Sequence, residues 1–444
     1  MPNINDIEDD YVPIIYKLPD TDEDIFKSDI DPRFGYNLAM PRISLGFHHF
    51  IHQSRGNMDV TQQFKNKKKI YYVFSRFEKD VDEYDDDLHQ LSIRYFGLNN
   101  KPDIISRAFY KLWELFFLFD LIPTDKSNIT TAHLCEGPGA FVQATLLYRD
   151  MYSKKGTTSK DTYHCITLHN DSKNIPKIKS DFTSYYDKEK PKRVYVHKTY
   201  PRKVADRSKY KDCGDITTLK TIYNFSNNFK NRKAHLVTAD GGFEWHNESL
   251  QEQEIYALFV GEILTAVNIQ ADGGHFVLKI YETFTTITIK LLCVLKSFYK
   301  DIYITKPLTS RKSNSEKYII CSHFIRSKDH DKKVKTLENL LKSMMTNINF
   351  ITDIFTDFIV NDDFERAVTT MNNNVSNRQF QNINQIITFI NRQNYRGAEY
   401  NKRRNMQIES TKYWESNFFP PIENFNNKKT EMTEFKNNII TYLK

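Results

Sequence analysis

Residues 131–142, Thr-Ala-His-Leu-Cys-Glu-Gly-Pro-Gly-Ala-Phe-Val, read as a strand end, a glycine turn and the start of a helix. Ala132, Leu134 and Cys135 suit a buried strand. Gly137, Pro138 and Gly139 let the chain reverse tightly with its backbone exposed. Phe141, Val142 and Leu146 then open an apolar stripe at helical spacing. Glycine turns of this kind, at the C-terminal edge of an open α/β sheet, bind nucleotide-like ligands, although many are plain connections. A dinucleotide fingerprint needs a third glycine where Val142 stands, which argues against a nicotinamide oxidoreductase.

Outward from this turn, helical and extended patterns alternate. The spacing of Ile104, Ala108, Leu112, Leu115 and Phe119 predicts a helix over 103–121. Downstream, 164–168, 194–196, 234–239, 274–281, 302–305 and 317–322 read as strands. Helical patterns cover 217–229, 250–269 and 284–298. Such alternation implies a mostly parallel sheet covered on both faces. Beyond 330 the pattern changes: 334–345 and 385–390 look helical, and the Asn-rich Met371–Asn374 reads as a loop. The first thirty residues read as a loose acidic arm. Asp80 to Asp87 reads as a solvated loop, and Lys65 to Lys69 as a basic rim leading into a strand at 70–74.

Composition bounds the function. A hydrophobic fraction of 39% supports a sizeable core, and 63 Lys+Arg against 56 Asp+Glu leaves +7, which permits a polyanionic partner without demanding one. The basic residues concentrate in 188–235 and 390–404. In the second segment Tyr395 and Arg396 through Arg404 mix aromatic and cationic side chains, a pattern open to base stacking or to plain solvation. Five scattered cysteines (Cys135, Cys165, Cys213, Cys293, Cys321) form no CxxC pair, which disfavours zinc or disulfides and fits a reducing compartment. His48, His49 and His52 lack a fourth ligand at suitable spacing, so no metal site is expected. The acidic N-terminus has no apolar signal core, and the most apolar run, 112–122, is interrupted by Glu114 and Asp120. The expectation is a soluble, non-secreted protein.

Four polar residues break the apolar pattern. Asp240 ends a buried strand beside two glycines, Lys279 sits inside Phe276-Val277-Leu278-Lys279-Ile280, and Glu316 opens the last strand. Lys111 lies on the edge of the helical stripe, either snorkelling its charge outward or holding it near a site beneath. A buried lysine is costly unless paired and readily loses its proton. One such pair could be purely structural; two lysines and two carboxylates at strand ends beside the glycine turn favour chemistry.

These residues fall within motifs that resemble the FtsJ/RrmJ-type ribose 2′-O-methyltransferases, most of all the cap-modifying branch. The motifs are 106–111 (Ser-Arg-Ala-Phe-Tyr-Lys), 135–141 (Cys-Glu-Gly-Pro-Gly-Ala-Phe), 214–217 (Gly-Asp-Ile-Thr), 238–242 (Thr-Ala-Asp-Gly-Gly), 276–280, and 306–318, in family order over about half the chain. Ala140 stands where a third glycine is frequent. The size, extensions and Asn/Lys bias are similar to versions encoded by large cytoplasmic DNA viruses.

The resemblance implies a Rossmann-like class I methyltransferase with a mostly parallel seven-stranded sheet at 100–328, an N-terminal extension at 1–99 that contacts RNA or cap, and a helical, Asn-rich extension at 329–444. It implies S-adenosylmethionine as cofactor, no metal, and a Lys-Asp-Lys-Glu tetrad at Lys111, Asp240, Lys279 and Glu316. Lys279, flanked by Lys111 and partly desolvated, would have its pKa lowered and take the 2′-OH proton. Glu136, Gly137, Pro138, Gly139, Asp215 and Asp240 would hold the cofactor, with residues near Leu168 packing on its adenine. The implied substrate is the cap-proximal ribose of mRNA. Alternatives are 2′-O-methylation of ribosomal or other structured RNA, and a non-catalytic RNA-binding scaffold. The resemblance further implies RNA and other capping or transcription proteins as partners and no membrane. The location would be the cytoplasm or nucleus or, for a viral protein, the host cytoplasm and the virion.

Overall fold

The computed structural model describes residues 9–168, 175–197, 214–242 and 250–442. Cys213 and the middle of the basic 188–235 segment lie outside them. The N-terminal segment supplies β1 (Ile14–Lys17), β2 (Arg33–Gly35), α1 (Leu45–Gly56) and α2 (Leu88–Phe96). The middle runs α3 (Ala108–Phe119), β3 (Thr130–Leu134), α4 (Ala140–Tyr152), β4 (Thr162–Ile166), α5 (Ser180–Tyr186), β5 (Val194–His197), α6 (Leu219–Ser226) and β6 (Ala234–Ala239). It continues with α7 (Gln251–Glu254), α8 (Tyr256–Ile269), β7 (Gln270–Ile280), α9 (Thr286–Lys296), β8 (Tyr299–Lys306) and β9 (Lys317–Phe324). The C-terminal segment holds α10 (His330–Thr346), β10 (Phe350–Asp353), α11 (Asp362–Arg392), α12 (Ala398–Phe418), α13 (Phe425–Ile439) and β11 (Thr441–Tyr442).

Among the described residues the main sheet has nine strands, in the order β11-β1-β8-β9-β7-β6-β3-β4-β5. Seven of them, β3 to β9, are those of the expected methyltransferase fold; β1 and β11 extend it from the flanking segments. The ladders from β5 across to β7 are parallel, and β9 and β8 run antiparallel. Along β7 the side chains alternate in direction. Phe276 and Leu278 enter the core shared with α6, α8 and α9, whereas Val277 enters the core shared with α3, α4 and α12. Lys279 therefore emerges on the α3 face, at the C-terminal edge.

The chain leaves β3 toward β4 and β5, then returns to β6 on the other side of β3. This is a topological switch point, the place where open α/β sheets leave a crevice at the carboxyl ends of their strands. The glycine turn after β3 and Asp240 after β6 meet there.

Several expectations are corrected. The N-terminal arm is not loose from residue 14 on: β1 pairs antiparallel with β8, and Ile15, Tyr16, Leu18 and Ile25 are buried. Ile70–Phe74 forms a 3-10 turn rather than a strand. The Asn-rich segment is no loop but the interior of α11, a 31-residue helix. Phe364, Val368, Met371, Asn372, Val375 and Gln379 carry its buried stripe at helical spacing. Asn372 answers its own burial by donating to the Thr283 carbonyl and accepting from the Thr283 hydroxyl. Packing overrides the low helix propensity of asparagine. Asp87 in the acidic run caps α2 by accepting from the Gln90 N–H at 3.0 Å. No described helix is long and apolar enough to cross a membrane.

Candidate active site

The turn after β3 is stapled from behind. Glu136, buried at 2%, accepts from the Val142 N–H at 2.8 Å through one carboxylate oxygen. It supports the start of α4 instead of lining the crevice. Gly137 does line it, and its lack of a side chain is obligatory: a Cβ there would lie 1.8 Å from the Pro176 carbonyl oxygen. Gly139 packs against Ile105 and Ile178 with φ +112°, which favours glycine. Pro138 shapes the turn, and its carbonyl accepts from the Lys179 N–H at 3.0 Å.

The crevice is a cleft of ≈ 760 Å³, within the usual range for a small-molecule site. One end is polar, with Asp240, Lys279 and Tyr281; the other is largely apolar, with Leu168, Ile175, Pro176, Ile216 and Leu258. Gly214, at φ +81°, lets the backbone close over the apolar end, where a Cβ would meet the Thr167 carbonyl oxygen at 1.9 Å. Asp215 follows it; one carboxylate oxygen accepts from the Thr217 N–H and hydroxyl at 2.9 and 2.7 Å.

The structure brings Lys111, Asp240, Lys279 and Glu316 together as two ion pairs, one lining the polar end and the other behind it. Lys279 Nζ lies 3.0 Å from Asp240 Oδ1 and donates to the Asp240 carbonyl at 2.9 Å. Lys111 Nζ lies 2.6 Å from Glu316 Oε1. The helix-edge lysine thus points inward rather than snorkelling. Tyr318, the cross-strand partner of Lys279, donates its hydroxyl to Asp240 Oδ1 at 3.3 Å. Ser310 donates to Glu316 Oε1 at 3.0 Å, and Lys306 donates to the Glu316 carbonyl at 2.7 Å. Burial works against the Glu316 carboxylate, yet Lys111, Lys279 and Lys306 pull its pKa down to about 2.

The protonation state of Lys279 is a correction. Burial lowers its pKa, but Asp240, Tyr281 and Glu316 outweigh burial and hold it above the ordinary lysine value. The reasoning from sequence counted Lys111 as the dominant neighbour. Glu316 neutralises Lys111 at 2.6 Å, so Lys279 faces net negative charge. Sequence reading also missed Glu262, buried beneath Gly241, whose carboxyl is pushed up to about 8 by burial, with Lys279 opposing and Asp240 adding. Its place inside the apolar run of α8 was the available signal. Of the N-terminal histidines, His48 and His52 meet Glu282, their ligand atoms all within 4.8 Å. Arg55 donates to that carboxylate at 2.6 Å, setting a fixed positive charge on it.

Residues 104–324 match the FtsJ-like methyltransferase family. This part of the chain is an FtsJ-like methyltransferase domain. The chain is 26% identical over 269 residues to the cap-specific mRNA (nucleoside-2′-O-)-methyltransferase 2 of Drosophila melanogaster, covering 60% of this chain and 36% of that protein. It is 28% identical over 329 residues to the uncharacterized protein L511 of Acanthamoeba polyphaga mimivirus, covering 72% and 38%. It thus spans little more than a third of the length of these two curated relatives. Among solved structures, a ribosomal RNA methyltransferase from Plasmodium falciparum aligns over 50% of this chain and 99% of that one, at 19% identity and a TM-score of 0.32. The methyl donor of the FtsJ-like methyltransferases is S-adenosylmethionine, and the cleft suits it. The donor's charged amino-acid end would face Asp240, Lys279 and Tyr281, its adenosine end would face Leu168, Ile216 and Asp215, and Gly242 leaves open the space a side chain would fill beside Lys279.

Proposed function

We propose that this protein transfers a methyl group to a ribose 2′-OH of RNA, at the cap-proximal nucleotide of mRNA. The observation that carries the reading is the double ion pair: Lys279–Asp240 lines the polar end of a nucleoside-sized cleft, and Lys111–Glu316 lies behind it, near enough for Glu316 to act on Lys279. S-adenosylmethionine supplies a methyl already activated on a cationic sulfonium, so the burden on the protein is to align and deprotonate a weak nucleophile. Asp240 holds Lys279 from one side while Glu316 fixes Lys111 opposite, giving the 2′-oxygen two ammonium groups in defined places. Once Asp240 shares its charge with another cation, it holds the Lys279 proton less strongly, and burial then favours the free amine. Lys279 is the base; Lys111 and Glu316 position the hydroxyl. The cap assignment is supported by the cap-specific names of the relatives.

The test is incubation of the full chain with radiolabelled S-adenosylmethionine and matched capped, uncapped and structured ribosomal RNAs, followed by nuclease mapping. Label at the 2′-O of the first nucleotides of capped RNA alone is the expected result. Label on internal positions of structured RNA would replace the cap assignment, and no label on any RNA would overturn the activity.

A further inference from the structure

A second cleft, of ≈ 230 Å³, lies where the loop carrying Glu316 meets segments outside the methyltransferase domain. Its charged lining is Arg76, Lys312, Arg378 and Arg403 against Asp10, four cations to one carboxylate. Asp10 pairs with Arg76 at 2.8 Å and with Lys312. Arg403 stacks on Phe74 at 3.7 Å and reaches Glu399 at 3.4 Å. Arg378, half-buried on α11, makes no ion pair or hydrogen bond among the described residues. Burial works against the Asp10 carboxylate, but Lys312, Arg76 and Arg378 still hold it below its usual range. Gathering like charges in a partly desolvated cleft opposes folding, and folding alone does not ask for it. A polyanion would relieve it, and guanidinium groups match phosphate oxygens in a planar fork.

The cleft is tied to the candidate active site by one loop. Ser310 bonds Glu316, Arg311 pairs with the buried Glu78 at 2.7 Å, and Gln379 donates to the Ser313 carbonyl at 3.2 Å. Lys312 and Glu316 stand four residues apart, so their Cα atoms lie within about 14 Å of each other. An RNA chain with a ribose at Lys279 would bring phosphates within a few nucleotides of that ribose toward this edge.

We infer that this cleft is a phosphate-binding subsite for the RNA substrate, built by the N- and C-terminal segments, that sets which ribose reaches Lys279. The inference rests on the proposed activity for its ligand. The phosphates belong either to the polyphosphate bridge of the cap or to the RNA chain itself, and the test separates the two.

Fluorescence anisotropy with short labelled single-stranded RNAs, capped and uncapped, is measured against salt for the wild type, Arg378→Gln and Arg378→Lys. Arg378→Gln should weaken binding roughly five-fold and flatten the slope of log K against log salt by about 0.7, the loss of one phosphate contact. Arg378→Lys should recover most of the affinity. KM for RNA should rise with kcat unchanged. A loss confined to capped RNA assigns the phosphates to the cap bridge, and an equal loss on both assigns them to the chain. Wild-type affinity and slope in Arg378→Gln, or no RNA binding by the wild type, would overturn the subsite. If methyl transfer is absent while RNA binding still depends on Arg378, the activity falls and the subsite stands.

Discussion

Replacing Lys279 by arginine separates a proton acceptor from a mere positive charge. Arginine keeps its charge at all working pH values and cannot take up a proton. It also preserves attraction to Asp240, now 3.0 Å from the lysine nitrogen. Lys279→Ala is the blunter probe: the pair is half-buried, so removing one member costs less than the roughly 3–5 kcal/mol of a fully buried pair, and among the described residues the Tyr318 hydroxyl is left on the Asp240 carboxylate. A general base contributes about 10²–10⁴-fold, or roughly 2.7–5.4 kcal/mol of barrier. Single-turnover methyl transfer at saturating cofactor and RNA should therefore fall by that factor in Lys279→Arg. The melting temperature should stay near wild type and S-adenosylhomocysteine should bind within a few-fold of wild type by calorimetry. Lys279→Ala should abolish transfer while the cofactor product still binds. A Lys279→Arg rate within ten-fold of wild type would refute the assignment of Lys279 as base and reduce it to an electrostatic role.

The pKa of Lys279 is raised by Asp240, so at neutral pH most of the amine is protonated and the free-base fraction grows with pH. The logarithm of the single-turnover rate should climb with a slope near one between about pH 6 and 8, and Asp240→Asn at saturating cofactor should move the profile to lower pH; a flat profile contradicts the mechanism. Gly137→Ala brings a Cβ to 1.8 Å from the Pro176 oxygen, so S-adenosylhomocysteine affinity should drop at least about ten-fold. Gly46→Ala on α1 meets open space and should leave binding and activity unchanged. Asn372→Ala strips two hydrogen bonds from the buried Thr283 and should cost about 2–4 kcal/mol in urea denaturation; a cost under about 0.5 kcal/mol would mean that α11 is held there by its apolar stripe alone.

What could be read along the chain was whatever depends on neighbours in sequence. The glycine turn, the strand around Lys279 and the alternation of strand and helix are local patterns, and they gave the sheet and the four tetrad residues. Distance-dependent features were hidden. Asn372 reads as a loop former until Thr283, 89 positions away, answers its amide. The pairing of β1 with β8 joins residues nearly 300 apart, so an acidic arm with one short apolar run carried no warning of it. Most of the cationic cleft assembles from positions 76, 312, 378 and 403, none close enough in sequence to form a motif.

The Lys279 correction shows where such reading stops and what must replace it. Sequence can place two lysines and two carboxylates at one edge, but a pKa depends on which cation meets which anion. With Lys111 bound to Glu316 at 2.6 Å and Lys279 to Asp240 at 3.0 Å, each lysine is matched in the resting protein, and Asp240 holds the proton on Lys279. In the proposed mechanism, reactivity comes from competition for Asp240, the one tetrad carboxylate that lines the cleft. Glu316 does not line the cleft: Lys111 and Ser310 hold its carboxylate, and Lys306 holds its carbonyl. The two pairs are therefore unequal by construction, one a fixed strut and the other open to a ligand's charge. In the proposed mechanism, proton acceptance is thereby coupled to occupancy of the cleft.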